Sequence, residues 1–263
     1  TPLSFVGPAL LFKCHMNTDD CVQVDNPLGE EYSLMQPSVL PSLLVHAQDN
    51  LKHVGHTLKT FTARNVFREK YEWMELGFCV TSKKDNVLKE DPFLIAKADL
   101  MSAFSDAGYR FSLAPSEKIF PFEHSGRSAS VIVGDTSVGL FFEVHPSVCS
   151  AFDLPNRVAA ALIDLNTLFS LEPNHEEVRS VPDYPSVVYD VTIPMSQDHA
   201  VGELLKKARS SSDLLEEIEV ADLYSEGGQQ YNLTVRCTYR SPERTLTEEE
   251  VKQEHDKVLA VLQ

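Results

Sequence analysis

The alternation of strand and helix patterns after Pro182 most constrains how this chain can fold. Residues 187–194 alternate apolar and polar side chains, which predicts a strand with one buried face. A helix should follow, because apolar residues recur at spacings of three and four at Val201, Leu204, Leu205 and Ala208. Strands are then predicted at 218–224 and 231–239, separated by a turn at Gly227-Gly228.

The last predicted element is a helix whose first residues are marked by a capping motif. Thr247 is followed three residues later by Glu250, the spacing of a capping box. The whole segment therefore reads strand, helix, strand, strand, helix. This order predicts an α+β unit with the helices packed against a small sheet.

This C-terminal segment resembles the ferredoxin-like anticodon-binding domain that ends the beta subunit of bacterial phenylalanyl-tRNA synthetase. The resemblance is carried by Tyr184-Pro185 before the first strand, Asp190 within it, Asp222-Leu223-Tyr224 at the end of the second strand, and the ERTLT segment at 243–247. It implies an RRM-like α/β sandwich that binds the anticodon region of tRNA(Phe).

The resemblance continues upstream, in the order and at the approximate spacing of the same subunit. The matching segments are NPLGEEYSLMQPSVLPSLL at 26–44, FEHSGRSA at 122–129 and GLFFEVHP at 139–146. It implies a catalytic-like domain: a class II synthetase fold, with an antiparallel sheet and helices, that lacks the catalytic residues. The domains are thus expected at 1–171 and 182–263, joined by a proline-containing acidic linker at 172–181.

Hydrophobic patterning places secondary structure in this first region. Helices are predicted at 39–54, 92–108 and 146–152, the second ended by Gly108 in the left-handed conformation that glycine tolerates. Strands are predicted at 72–80, 128–133, 138–144 and 158–165, with the second and third joined by a turn at 134–136.

The resemblance also implies partners and a wider context. The expected partners are the alpha subunit, within a heterotetramer, and tRNA(Phe); ATP and Mg²⁺ serve the holoenzyme, with no cofactor in this segment. The absence of an initiator Met indicates a C-terminal fragment, preceded in the family by a tRNA-binding domain, an editing domain and an acidic Mg²⁺ cluster. No signal peptide or 20-residue apolar run is present, so we expect a cytoplasmic protein without a membrane span.

We predict no catalytic residues and no metal site in this chain. Class II catalysis needs arginines that grip the ATP phosphates; Arg68-Glu69 resembles part of that set, but we interpret it as an exposed strand end with a surface ion pair. Ser125 lacks the glycines of a nucleophile elbow. The five dispersed cysteines, including Cys14 and Cys21, are interpreted as reduced thiols.

The charge of the chain opposes strong RNA binding. The net charge is −16, and 16 acidic residues face 8 lysines and arginines between Pro182 and Gln263. Basic residues that the family pattern suggests are replaced by Val188-Tyr189, Ser225 and Tyr231. We therefore expect tRNA binding weaker than roughly micromolar for the isolated chain.

The candidate tRNA-binding residues are two aromatics for base stacking and three arginines for phosphates or base edges. They are Tyr224, Tyr231, Arg236, Arg240 and Arg244. Arg236 and Arg240 are four residues apart and share one face if their strand stays extended. Alternatives to the synthetase subunit are a stand-alone RNA-binding protein and a regulatory amino-acid sensor built from the same domains.

Overall fold

The computed structural model describes residues 4–54, 56–82, 91–116, 119–155, 157–173, 182–196, 201–224 and 230–262. The chain divides into two compact units, Thr1–Glu177 and Val178–Gln263, which we call the N-terminal unit and the C-terminal unit. Most of the linker predicted at 172–181 lies outside the described residues, as do Ser225 and the predicted Gly227-Gly228 turn.

The N-terminal unit is built on long antiparallel strands with helices between them. In chain order its elements are β1 Phe5–Val6, α1 Pro8–Lys13, β2 Leu34–Met35, α2 Leu40–Leu51, β3 Thr57–Arg68, β4 Tyr71–Ser82, α3 Pro92–Asp106, β5 Phe111–Pro115, β6 Glu123–Val133, β7 Thr136–Val144, α4 Pro146–Ala151, β8 Val158–Asp164 and α5 Leu165–Phe169. A six-stranded antiparallel sheet in the order β3-β4-β8-β7-β6-β5 forms its centre, and β1 pairs with β2 separately.

Apolar residues on both faces of this sheet explain its two cores. Strand β8 runs through the middle and is buried on both sides: Ala160 joins the cluster under α2, while Ala159 and Ala161 join the cluster under α3. Successive side chains of a strand point to opposite faces, which produces this division. A Cβ at Gly77 would lie 2.3 Å from Val39 Cγ2, so glycine allows α2 to approach β4 closely.

The C-terminal unit comprises β9 Val187–Ser196, α6 Val201–Arg209, β10 Leu215–Tyr224, β11 Gln230–Tyr239 and α7 Glu248–Leu262. Its three strands form an antiparallel sheet in the order β10-β11-β9. One face of the sheet packs on the two helices, with Leu233, Val235 and Tyr239 fully buried against Ala208 and Val258. The other face carries no helix among the described elements.

This architecture confirms the predicted fold class, including the order strand, helix, strand, strand, helix. The capping box of α7 is formed: the Glu250 carboxylate accepts from Thr247 N at 3.0 Å, and Glu250 N donates to Thr247 Oγ1 at 3.4 Å. Gly108 has a φ of 81°, as predicted for the end of α3.

Several predicted boundaries were wrong by a few residues. The helix expected at 39–54 ends at Leu51, and the strand expected at 158–165 ends at Asp164 because α5 starts there. Strand β6 begins at Glu123 instead of Ser128, across a register irregularity that sequence periodicity does not show. The polar run after Glu123 reads as a loop, although the buried Glu123 carboxylate accepts hydrogen bonds from Ser128 Oγ and Phe120 N.

Candidate nucleic-acid interface

The helix-free face of the C-terminal sheet, which we call the open face, is the candidate surface for RNA. Antiparallel pairing fixes its membership, because directly paired residues project to the same side. Its rows across β10, β11 and β9 are Tyr224–Asn232–Pro194, Asp222–Thr234–Thr192, Glu219–Arg236–Asp190 and Glu217–Thr238–Val188.

The two predicted stacking tyrosines lie on opposite faces of this sheet. Tyr224 belongs to the end row of the open face, and 55% of it is exposed. Tyr231 pairs with Met195 on the other face and packs against the buried cluster under the helices. The structure therefore does not bring the two rings together, and only Tyr224 is placed for stacking on the open face.

Arg236 occupies the middle of the open face and is held by a carboxylate there. Its Nε and Nη2 donate to the two oxygens of Asp190 at 2.9 and 2.8 Å, a bidentate pair across β11 and β9. These hydrogen bonds lower the pKa of Asp190 and raise the pKa of Arg236. Glu219 pairs with Arg236 from β10, so the guanidinium lies between two acidic residues.

The other two predicted arginines are also engaged within the unit. Arg240 Nε donates to Glu216 at 2.8 Å, and its Nη1 donates to the carbonyl of Tyr184 at 3.0 Å. Arg244 makes two hydrogen bonds to Glu250, at 2.8 and 2.5 Å, which help to lower the pKa of this carboxylate to about 2. Each predicted phosphate-binding arginine thus has an intramolecular carboxylate partner.

Sequence reasoning missed the acidic character of the open face. Asp190 and Asp222 were recognised as motif residues, but Glu217 and Glu219 were counted only in the overall charge. Their alternation along 217–222 is interrupted by a register shift between Val220 and Asp222. Without that bulge, Asp222 and Glu219 would project to opposite faces, so periodicity alone places them wrongly.

In the N-terminal unit, two arginines bind the same buried carboxylate. Glu143 is 2% exposed and accepts from Arg157 Nε at 2.8 Å and from Arg127 Nη1 at 2.7 Å. Arg157 also reaches Asp91, the N-cap of α3, at 2.7 Å. These two arginines hold β6, β7, β8 and α3 together, which is a structural use of the Gly126-Arg127 segment.

Arg68 lies at the end of β3 and pairs with Asp20 at 2.5 Å, matching the surface ion pair that we predicted for Arg68-Glu69. All five cysteines are buried and unpaired, as expected for structural thiols. Burial raises the pKa of Cys79 to about 12, which disfavours the reactive thiolate.

The described residues bear on metal binding and on membrane insertion. No group of three or more His, Cys, Asp and Glu side chains among them is arranged to hold a metal ion. Within the same part of the chain, no helix has the length and apolar character needed to cross a membrane.

Comparison with protein families gives matches to both units. Residues 1–165 match the phenylalanyl tRNA synthetase beta chain CLM domain, and residues 182–263 match the ferredoxin-fold anticodon binding domain.

Individual relatives match along nearly the whole chain. The phenylalanine–tRNA ligase beta subunit of Clostridium tetani is 26% identical over 99% of this chain and 34% of the relative. The corresponding protein of Protochlamydia amoebophila is 28% identical over 96% of this chain and 34% of the relative, and that of a Synechococcus species is 29% identical over 92% and 32%. The chain therefore spans about a third of the length of the curated relatives that it matches.

Proposed function

Because this chain belongs to the phenylalanyl-tRNA synthetase beta chain family, we propose that it is the C-terminal part of a phenylalanine–tRNA ligase beta subunit. In this role it is not catalytic itself. Its N-terminal unit supports the contact with an alpha subunit, in a cytoplasmic heterotetramer, and its C-terminal unit contacts the anticodon region of tRNA(Phe). The matches run through both units, which favours this function over a stand-alone RNA-binding protein or an amino-acid sensor.

The observation that carries the RNA role is the exposed aromatic side chain at the end of the open face. Tyr224 projects from an open sheet that ferredoxin-like domains use for single-stranded bases, and no helix covers it among the described elements. A base can stack on this ring without sequence-specific hydrogen bonds. The neighbouring carboxylates keep the interaction weak, since they repel the phosphate backbone.

The proposed alpha-subunit contact is supported by the edge of the large sheet. Strand β3 is 12 residues long and, among the described strands, pairs only with β4. Phe61 and Met74 share one face of this hairpin and are 77% and 42% exposed. A long edge strand with large exposed apolar side chains is a surface that a partner subunit would cover.

Two experiments test the subunit role. Pyrophosphate exchange with ATP and phenylalanine should show no activity above background for this chain alone. The sequence lacks a complete set of arginines to bind the ATP phosphates, and Arg68, which resembles part of that set, is paired with Asp20. Co-expression with the alpha subunit from the same organism should yield a co-purifying complex, and Phe61→Asp should weaken it. Exchange activity of the chain alone, or no co-purification with the alpha subunit, would contradict the proposal.

The RNA role is tested by filter binding of the chain to tRNA(Phe) at several salt concentrations. We expect binding weaker than roughly micromolar near physiological salt, with an affinity that falls as salt rises. Tight binding that is insensitive to salt would contradict this account of the open face.

A further inference from the structure

The described cations of the C-terminal unit differ in whether they have a carboxylate partner. Arg236, Arg240, Arg244 and Lys257 all form ion pairs with carboxylates of the same unit. By contrast, Lys206 and Lys207 form no ion pair or side-chain hydrogen bond with any part of the chain that the structure describes. Among the described residues, no carboxylate competes with an external anion for these two ammonium groups.

These lysines lie at the C-terminal end of α6, on its solvent side. The helix buries Ala208 and packs Val201, Leu204 and Leu205 against the core, while Lys206, Lys207 and Arg209 are exposed. Lys206 and Arg209 are three positions apart, so they are neighbours on the helix surface. Arg209 makes one long hydrogen bond, 3.4 Å from Nη2 to the carbonyl of Glu216, and has no ion-pair partner among the described residues.

We call Lys206, Lys207 and Arg209 the α6 basic turn. Cations at the end of a helix stabilise its dipole, which gives the turn a local role. That role does not account for three cations, because neighbouring like charges on a helix repel one another. Elsewhere between Pro182 and Gln263, where 16 acidic residues face 8 lysines and arginines, most cations are paired with carboxylates. An unpaired cluster is the exception and fits a polyanionic ligand.

We infer that the α6 basic turn binds the phosphate backbone of RNA, and that it supplies phosphate contacts which Arg236 of the open face, held by Asp190, does not. This inference rests on the proposed function, which provides tRNA as the polyanion. The turn lies at the β10 end that begins with Leu215, whereas Tyr224 ends the same strand nine residues later. At about 3.3 Å per residue the two are roughly 30 Å apart, so the turn contacts a stretch of RNA away from the stacked base.

The test is filter binding of the complete 263-residue chain and its K206Q/K207Q variant to tRNA(Phe) from 50 to 200 mM salt. Log affinity falls linearly as log salt rises, and each lost phosphate contact makes this negative slope shallower by about 0.7 to 0.9. The double variant should therefore bind more weakly, and its deficit should shrink by about tenfold between the two salt concentrations. Arg236→Gln should change the slope less, because Asp190 already neutralises that arginine.

A control variant removes one exposed lysine outside the α6 basic turn. Lys252→Gln deletes an exposed lysine of α7 and should leave the slope unchanged. If wild type binds tRNA and the K206Q/K207Q slope equals that of wild type, the α6 assignment is wrong while the proposed function stands. A change in salt slope from Lys252→Gln that equals half the change in the double variant would also overturn the assignment, since any exposed lysine would then serve. If wild type does not bind tRNA at all, both the proposed RNA role and this inference fail.

Discussion

The two units use arginine–carboxylate pairs in different ways. In the N-terminal unit, Arg127 and Arg157 close on Glu143, whose side chain is 2% exposed. In the C-terminal unit, Arg236 and Asp190 form a pair of equally good geometry, but both side chains are more than 40% exposed, at 45% and 43%. Hydrogen-bond length therefore does not distinguish them, and burial does.

Burial decides what each pair can do. A buried carboxylate has lost its water and depends on its arginines, so the pair is a permanent part of the fold. An exposed pair gains little from the attraction between its charges, because water and salt screen them. Arg236 could therefore be released to bind a phosphate at small cost if Asp190 were removed. Arg127 and Arg157 thus stabilise the N-terminal fold, whereas Arg236 lies on the C-terminal surface in an ion pair that is easily broken.

The largest expected effect is on the buried network. Arg157→Met removes one partner from the Glu143 carboxylate and should lower the free energy of unfolding by about 3 kcal/mol. Urea denaturation of the chain measures it. Arg236→Met, the matched change in the exposed pair, should leave the urea midpoint of the C-terminal transition unchanged within error.

A second substitution keeps this prediction sharp. Adding Glu143→Leu to Arg157→Met removes the stranded carboxylate and should recover most of the lost stability, because an apolar pair of similar size replaces a buried ion pair well. If Arg157→Met and Arg236→Met have equal effects, burial does not distinguish the two pairs and the comparison fails.

The next effect concerns Glu75, a buried carboxylate that forms no ion pair with an arginine among the described residues. Its Oε2 accepts from Ser38 Oγ and from Val39 N at the start of α2, each at 2.7 Å. Burial raises the pKa of Glu75 to about 7, although these hydrogen bonds, from Val39 and then Ser38, and the charge of Arg68 lower it. The unfolded chain releases this proton near pH 4.5.

Between those two pH values the folded state holds a proton that the unfolded state has lost. Stability therefore falls as pH rises from about 4.5 to about 7, by an amount on the order of 3 kcal/mol. Glu75→Gln keeps an oxygen for both hydrogen bonds and removes the titration. Its advantage over wild type in unfolding experiments should grow across this pH range. Parallel stability curves for the two proteins would show that the carboxylate is not titrating there.

Individual residues show which features of the fold and of the site could be predicted from the sequence alone. The fold of the C-terminal unit follows from local patterns, since Thr247 and Glu250 and the apolar alternation of β11 each specify one element. Tyr224 and Tyr231 were selected together because aromatic type was the criterion, but strand pairing places them on opposite faces. The partner of Arg236 is Asp190, 46 residues away, and only the strand register brings them together. Long-range pairing was the information that the sequence patterns lacked.

The third prediction uses the two tyrosines to test the open face. Tyr224→Ala should weaken tRNA(Phe) binding by about 1 to 3 kcal/mol, the usual cost of losing one stacked base, without lowering stability. Tyr231→Ala should lower stability and leave tRNA(Phe) binding unchanged, because Tyr231 packs against the core cluster. Filter binding and thermal unfolding of both variants measure these effects. A binding loss confined to Tyr231→Ala would move the RNA site to the other side of the sheet.

The smallest expected effect comes from removing the carboxylate that holds Arg236. Asp190→Asn removes one negative charge from the open face and ends the bidentate ion pair that holds Arg236. The freed guanidinium can then accept a phosphate, so tRNA(Phe) affinity should rise a few-fold at low salt. The slope of log affinity against log salt should steepen by about 0.7 to 0.9, the signature of one added phosphate contact.

The control for Asp190→Asn must change the charge without releasing an arginine. Asp256→Asn does so on α7, where the aspartate is exposed and lies on the helix side of the sheet. It should raise affinity less than Asp190→Asn, and it should not alter the salt slope. If the two variants behave alike, the gain is a general effect of net charge. Arg236 would then not become available to bind RNA when Asp190 is removed. The exposed pair would be purely structural, like the buried network around Glu143.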